Sequence, residues 1–264
     1  MIVDVRYPKF SFKLDLDARH HTQRRMLEII SRGSLYEPES SFIADRIKPG
    51  DAFLDCGAHI GYYSMVAAHA ADKQVLVHSY EPNSENYQRF LRTIELNDCR
   101  NVFPHHCALA ERDYVGSLSL NADNDGGHCM FPVGDHPEHV KTRALGPRSE
   151  RIWVKSAQSA IRDHCQEGEL WVKADVEGCE ALIVRSILDY DREPIFILEI
   201  NRGALQGMGS SEDELRDILY ARGYKSYVHS AMKLTELKKG DYVQGNYVFN
   251  AIFWPARLPS IFEV

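Results

Sequence analysis

Four short apolar runs, each ending on a carboxylate, constrain this chain more than any other feature. Residues 52–54 lead into Asp55, 75–80 into Glu81, 170–174 into Asp175 and 195–198 into Glu199. Runs this short, without alternation, suit strands covered on both faces. The stretches between them carry apolar residues at helical spacing. Tyr87, Phe90, Leu91 and Ile94 form one stripe behind Asn83 or Ser84 as a cap, and Cys179, Leu182, Ile183 and Ile187 form another. Strand and helix signals in alternation predict an α/β fold built on a mostly parallel sheet with helices on both faces. Open sheets of this kind bind ligands outside the carboxyl ends of their strands, so the four acids are expected to ring one crevice. One acid where a strand meets water is ordinary. Four together, one of them leading into a glycine turn, favour a binding site.

That turn is Asp55-Cys56-Gly57-Ala58-His59-Ile60-Gly61, between the first strand and a helix expected over 62–71. Gly57 allows a tight bend, and Gly61 lets the helix approach the sheet. His59 occupies a position that often carries glycine, and histidine is among the side chains that tolerate positive φ. The acid ahead of Gly57 would repel a pyrophosphate, which argues against a nicotinamide oxidoreductase. It suits a ligand that presents a positive or hydrogen-bond-donating group. Glu81, ending the next strand, is placed to grip ribose hydroxyls.

The segments YEPE (36–39), KPGDAFLDCGAHIGYYS (48–64), YEPNSENYQRFLRTIELN (80–97), VKADVEGCEALIV (172–184) and IFILEIN (195–201) resemble the FkbM-type S-adenosylmethionine-dependent methyltransferases. The likeness runs in order from about Ser34 to Pro255, and its EPN and DVEGxE segments are more specific than the glycine turn. The chain departs from the family's pattern at His59, usually asparagine, and at Cys56, usually aliphatic. The resemblance implies a class I methyltransferase (Rossmann-like) fold with a seven-stranded sheet. It also implies O-methylation of a sugar, glycan or secondary-metabolite hydroxyl. Residue by residue, it places Asp55, Gly57, Ala58 and Gly61 around the methionine moiety of the cofactor, with Asp175 beside them. Backbone N–H groups of Tyr62, Tyr63 and Ser64 would meet its carboxylate. Glu81 would take the ribose, with Pro82, Asn83 and Asn86 nearby, and Ala108 would line the adenine. Tyr36 and Glu37 would close the pocket.

Removing a proton from a hydroxyl nucleophile calls for a general base. Asp175, Glu177 and His128 are the catalytic candidates, with Glu199 a further acid within the same crevice. Glu180 reads instead as a helix-end carboxylate. Asp175, Glu199 and Asn201 together have the oxygen donors that a divalent cation such as magnesium accepts.

Residues 1–40 read as an N-terminal extension. Phe10, Phe12, Leu14 and Leu16 alternate as in a half-exposed strand, and Met26, Leu27, Ile29 and Ile30 suggest a helix closed by Gly33. Residues 41–264 form the catalytic domain. It is interrupted at about 112–155 by a polar, turn-rich, substrate-facing insertion, in which 114–120 could be an extra strand. A glycine-rich loop at 202–211 precedes a capped helix stopped by Gly223. Strands at 225–229 and 247–253 finish the chain as an antiparallel pair.

With 31 Lys and Arg against 38 Asp and Glu, the net charge of −7 argues against a general nucleic-acid or anionic-membrane binder. No apolar run approaches the roughly 18 residues of a membrane helix. Asp4, Arg6 and Lys9 interrupt the start where a signal peptide would be apolar, so a cytoplasmic location is expected. The six cysteines show no CxxC spacing and read as buried thiols, while His136 and His139 read as a solvated loop. The expected partner is a small hydroxylated acceptor. A nucleic-acid or protein methyltransferase and a non-catalytic cofactor-binding module are the alternatives.

Overall fold

A computed structural model describes residues 1–130, 148–164, 168–190, 192–230, 233–245 and 247–262. His136, His139, Cys165 and the middle of the insertion lie outside the described residues. The chain opens with a hairpin of β1 (Ile2–Arg6) and β2 (Ser11–Asp15), then helices α1 (His21–Ser31) and α2 (Glu39–Arg46). Strand and helix alternate through β3 (Ala52–Cys56), α3 (Tyr62–Ala70), β4 (Leu76–Tyr80), α4 (Ser84–Asn97) and β5 (Val102–His105). A side sheet follows, made of β6 (Ala108–Ala110), β7 (Tyr114–Ser119) and β8 (Ser149–Ser156). Next come α5 (Ala157–His164), β9 (Leu170–Ala174), α6 (Glu180–Leu188), β10 (Ile195–Asn201), α7 (Arg202–Gly207) and α8 (Glu212–Tyr220). The last strands are β11 (Lys225–Ser230), β12 (Lys233–Leu237) and β13 (Val248–Trp254).

All four acid-tipped runs are adjacent strands of one sheet, ordered β12-β11-β13-β10-β9-β3-β4-β5. The five strands from β10 to β5 pair in parallel, and β13, β11 and β12 add antiparallel pairings. Successive residues of a strand join different cores, as the pleat requires. Ile195 and Ile197 pack with α2, α3 and the N-terminal hairpin, while Phe196 and Leu198 pack with α5, α6 and α8. Helices therefore cover both faces. The order reverses between β3 and β9, and ligands of such sheets bind at that switch point.

The sheet has eight strands where seven were expected, and its antiparallel end has three strands rather than a pair. The additional strand, β12, reads KLTEL and is largely exposed, so it lacks the apolar run of a covered strand. The 114–120 run is β7, but it pairs with β8 in the separate side sheet. Part of the 202–211 loop is the short helix α7, started by the Asn201 side chain accepting from the Ala204 amide. Among the described residues no helix is long and apolar enough to cross a membrane.

The extension packs beside α3 and α4. Val5, Phe12, Leu14 and Leu16 are buried, and the Lys13 backbone exchanges two 2.8 Å hydrogen bonds with the Asn97 side chain. Gly61 begins α3 at φ 92°, and a Cβ there would lie 2.3 Å from the fully buried Phe90 ring. Gly61→Ala should therefore destabilise the protein by about 1–3 kcal/mol in denaturant unfolding, combining a disfavoured φ with a steric clash. In a Phe90→Leu background the additional loss should be smaller. Equal losses in both backgrounds would contradict the proposed contact.

Candidate functional site

The turn after β3 is positioned by backbone contacts on both sides. The Gly57 and Ala58 amides donate to the Tyr80 carbonyl at the end of β4 (2.9 and 3.0 Å), and the Asp175 amide donates to the Cys56 carbonyl. At φ 81°, Gly57 passes so close to β9 that a Cβ would lie 1.8 Å from the Asp175 carbonyl oxygen. Only a residue without a side chain fits there. His59 adopts φ 52°, the positive value its side chain tolerates. Its amide donates to Oε2 of Glu81 (2.8 Å), and the Asn83 amide donates to Oε1 (2.9 Å). Burial raises the Glu81 pKa to about 7, although the His59 charge opposes this.

A cavity of about 870 Å³ opens over the switch point. From the turn, Gly57, Ala58, Tyr62 and Tyr63 line it; from the end of β4 and the start of α4, Glu81, Pro82 and Asn86 do. Ala108, Tyr36 and Glu37 also reach its wall, as do Asp175, Glu177, His128, Glu199 and Asn201. Asp55, Gly61, Ser64 and Asn83 do not. Asp55 is buried behind the turn and accepts from the Ser64 hydroxyl (2.5 Å), which also meets the Ser79 hydroxyl at 2.8 Å. Burial pushes its pKa up to about 6, and the Ser64 bond partly offsets this. Its carboxylate therefore supports the start of α3 from the interior. Asn83 caps α4 by accepting from the Asn86 amide.

Sequence reasoning missed the structural connector of the site. Asp125, buried in the insertion, accepts from the Thr22 amide, the Gln23 side chain and the His59 imidazole at 2.9, 2.9 and 2.8 Å. Its pKa lies well below the usual range, because these donors outweigh the cost of burial. The Asn86 side chain donates to its carbonyl (2.9 Å). One residue thus ties the extension, the glycine turn and α4 together. A polar, turn-rich segment offers no pattern that marks one aspartate among several.

The far half of the cavity is acidic. Asp175, Glu177 and Glu199 bring one oxygen each to within 4.8 Å of one another, with Glu37 and Glu39 nearby. Lys173, completely buried in β9, places Nζ 3.3 Å from Asp175 and 5.0 Å from the Tyr63 ring centroid. Desolvation would lower its pKa, but Asp175, Glu199, Glu39 and Asp55 raise it. A lysine inside the apolar run LWVKA was a visible signal of buried charge. Glu177 stands at φ 51° and accepts from the Asn201 amide group (3.0 Å). Burial, then the Asp175 and Glu180 charges, raise its pKa to about 8. Burial also raises Glu37 to about 8 and Glu199 well above the carboxylate range. Glu180 accepts from the Val176 and Gly178 amides, the structural role expected of it.

Two candidates change role. Nδ1 of His128 accepts from the Asn121 amide (3.0 Å), so its proton sits on Nε2, and burial lowers its pKa to about 4. That tautomer offers the cavity a donor, whereas a general base needs a lone pair. Asn201 caps α7 through its oxygen and donates its NH2 to Glu177, which fixes its side chain in a structural role. Among the described residues, the carboxylates close enough together to share a cation are Asp175, Glu177 and Glu199.

The methyltransferase FkbM domain family matches residues 55–226. Among solved structures, the chain is similar to methyltransferase FkbM from Methylobacillus flagellatus, at 15% identity and TM-score 0.45, over 89% of this chain and 56% of that one. It is similar to precorrin-6y C5,15-methyltransferase from Geobacter metallireducens at 10% identity and TM-score 0.43, over 82% and 86%. It is also similar to an S-adenosylmethionine-dependent O-methyltransferase from Thermotoga maritima at 13% identity and TM-score 0.42, over 88% and 72%. No curated protein matches the chain by sequence.

These acids make stability depend on pH. Glu37, Glu81 and Glu177 hold protons in the fold up to about 7–8, whereas the unfolded chain releases them near 4.3. Between those limits the folded state binds more protons, so stability falls as pH rises. The melting temperature of the ligand-free protein should decline from pH 5 to 8.5, and Glu177→Gln should flatten the slope. A melting temperature that rises across that window would contradict the assignment.

Proposed function

The chain belongs to the FkbM family of S-adenosylmethionine-dependent methyltransferases, and we propose that it methylates a hydroxyl of a small molecule: a sugar, glycan or secondary-metabolite intermediate. The observation that carries this reading is the Glu177 carboxylate, which holds its proton up to about pH 8 on the wall of the cavity beside the glycine turn. A hydroxyl nucleophile needs such a base, and catalysis is best when its pKa lies near the working pH. The net charge of −7 also opposes nucleic acid, whose phosphates it repels.

S-adenosylmethionine supplies an electrophilic methyl group when bound. The residues present fit it: Glu81 faces the cavity, and each oxygen, already held by one backbone amide, keeps a lone pair for ribose hydroxyls. Gly57 and Ala58 border the same space, and Asp55 with Ser64 fixes the start of α3. Asp175, paired with Lys173, separates this half from the acceptor half. Glu177 takes the acceptor's proton, with Asn201 holding its other oxygen in place. Asp125 and His59 keep the insertion over the turn and limit the entry of water. The three-carboxylate cluster suits a hard cation in donor type. It serves here as the base cluster, because Lys173 already places a positive charge 3.3 Å from Asp175.

Calorimetry with S-adenosylhomocysteine, followed by transfer of labelled methyl to a panel of glycans and polyols, tests the assignment. Glu81→Gln should weaken S-adenosylhomocysteine binding by about 10- to 100-fold, the worth of a charged hydrogen bond. Glu177→Gln should keep that affinity and lower kcat by about 10²- to 10⁴-fold. In the wild type, kcat/KM should rise with pH to a plateau above about 8. No binding by the wild type, or full turnover by Glu177→Gln, would overturn the reading.

A further inference from the structure

Beyond the base, the cavity wall holds three buried polar atoms with no hydrogen-bond partner among the described residues: Oε2 of Glu199, Oδ1 of Asn250 and Nδ1 of His229. They belong to one place in the fold. Glu199 and Asn250 are direct partners across β10 and β13. The β11–β13 pairing ends at Tyr227 and Ile252, and His229 and Asn250 each lie two residues beyond it on the same side of their strands. Direct partners share a face of the sheet, and all three residues line the cavity. Glu199 and Asn250 form a rung across β10 and β13, continued by His229 on β11, at the same rim as the four acids.

Two of these atoms are oxygens: that of Asn250 accepts, and that of Glu199 accepts once its carboxyl is ionised. His229 lies beside the Pro38 backbone, which has no N–H and can only accept; a ring that donates there from Nε2 keeps the lone pair of the unpartnered Nδ1. Buried acceptors left unpaired are unfavourable, and a cluster of three on one wall calls for a ligand rich in donors. Charge narrows the choice. Glu37, Glu39, Asp175, Glu177 and Glu199 surround this half of the cavity, against Lys173, which pairs with Asp175, and Arg25. Burial raises the pKa of Glu37, Glu39, Glu177 and Glu199, and a cation among them favours the ionised form, so an ammonium that displaces the Glu199 proton gains an ion pair that a neutral polyol cannot. An ammonium also supplies three N–H donors from one atom.

We propose that the Glu199–Asn250–His229 rung anchors a protonated amino group of the acceptor, so that the substrate is an aminated, hydroxylated small molecule of the amino-sugar or amino-polyol class. This rests on the O-methylation reading above. The anchored nitrogen carries no lone pair, so it positions the molecule and a neighbouring hydroxyl is the nucleophile. Asn250, a polar break in the apolar strand VFNAIFW, is conspicuous in the sequence only with this role in view.

Two probes of matched shape test the proposal: trans-2-aminocyclohexanol, charged at neutral pH, and trans-cyclohexane-1,2-diol. Their binding to protein saturated with S-adenosylhomocysteine is measured by saturation-transfer NMR. The amine should bind at least about tenfold more tightly than the diol, and Glu199→Gln should reduce that preference to about threefold or less. Asn250→Ser provides the same test should Glu199→Gln fail to fold. Equal affinities, binding of neither probe, or a preference that survives both substitutions would overturn the proposal. So would Mn²⁺ binding that depends on Glu199 with no preference for the amine, which would make the rung a cation site. Failure of S-adenosylhomocysteine to bind at all would instead sink the methyltransferase site itself. Normal S-adenosylhomocysteine binding without the amine preference sinks only the rung.

Discussion

The site depends on how Glu81 is held. Its two oxygens receive the amides of His59 and Asn83, one from the turn after β3 and one from the start of α4. A buried carboxylate is costly unless donors surround it, and these two backbone groups supply that need. In return, the carboxylate fixes the path of the turn, including the positive φ of His59. Gly57 completes the constraint from the other side, because only a glycine lets the turn pass the Asp175 carbonyl. The ends of β3, β4 and β9 are thus locked together before any ligand is present.

Asp125 extends this lock to parts of the chain far away in sequence. By collecting donors from α1, the turn and α4, it holds the insertion and the N-terminal extension against the cofactor half of the cavity. Where the family pattern tends to have asparagine at position 59, this chain has a histidine with a carboxylate partner. That departure is matched by a partner 66 positions away in the chain.

Much of this was legible in the sequence because strands, helices and glycine turns leave periodic or compositional marks. The acid-tipped runs gave the central strands, and the caps of α4 and α8 fell at Asn83 and Ser211. The marks fail where residues act through long-range pairing. Asp55 looked like a ligand contact, but its hydrogen bond to Ser64 turns it inward. His128 looked like a base, but the Asn121 amide fixes the wrong tautomer. Asp125 left no mark, since burial and three distant donors distinguish it from its exposed neighbour Asp123 only after folding. Lys173 and Asn250 were visible as polar breaks in apolar strands. Their meaning required knowing which rim they share.

The most direct test of the account is a crystal structure of the protein soaked with S-adenosylhomocysteine. The account predicts that the nucleoside lies over Gly57 and Ala58 with its ribose hydroxyls on Glu81, while the acidic wall at Glu177 and Glu199 stays open for the acceptor. Density for the nucleoside elsewhere, or a ribose that leaves the Glu81 carboxylate untouched, would contradict it.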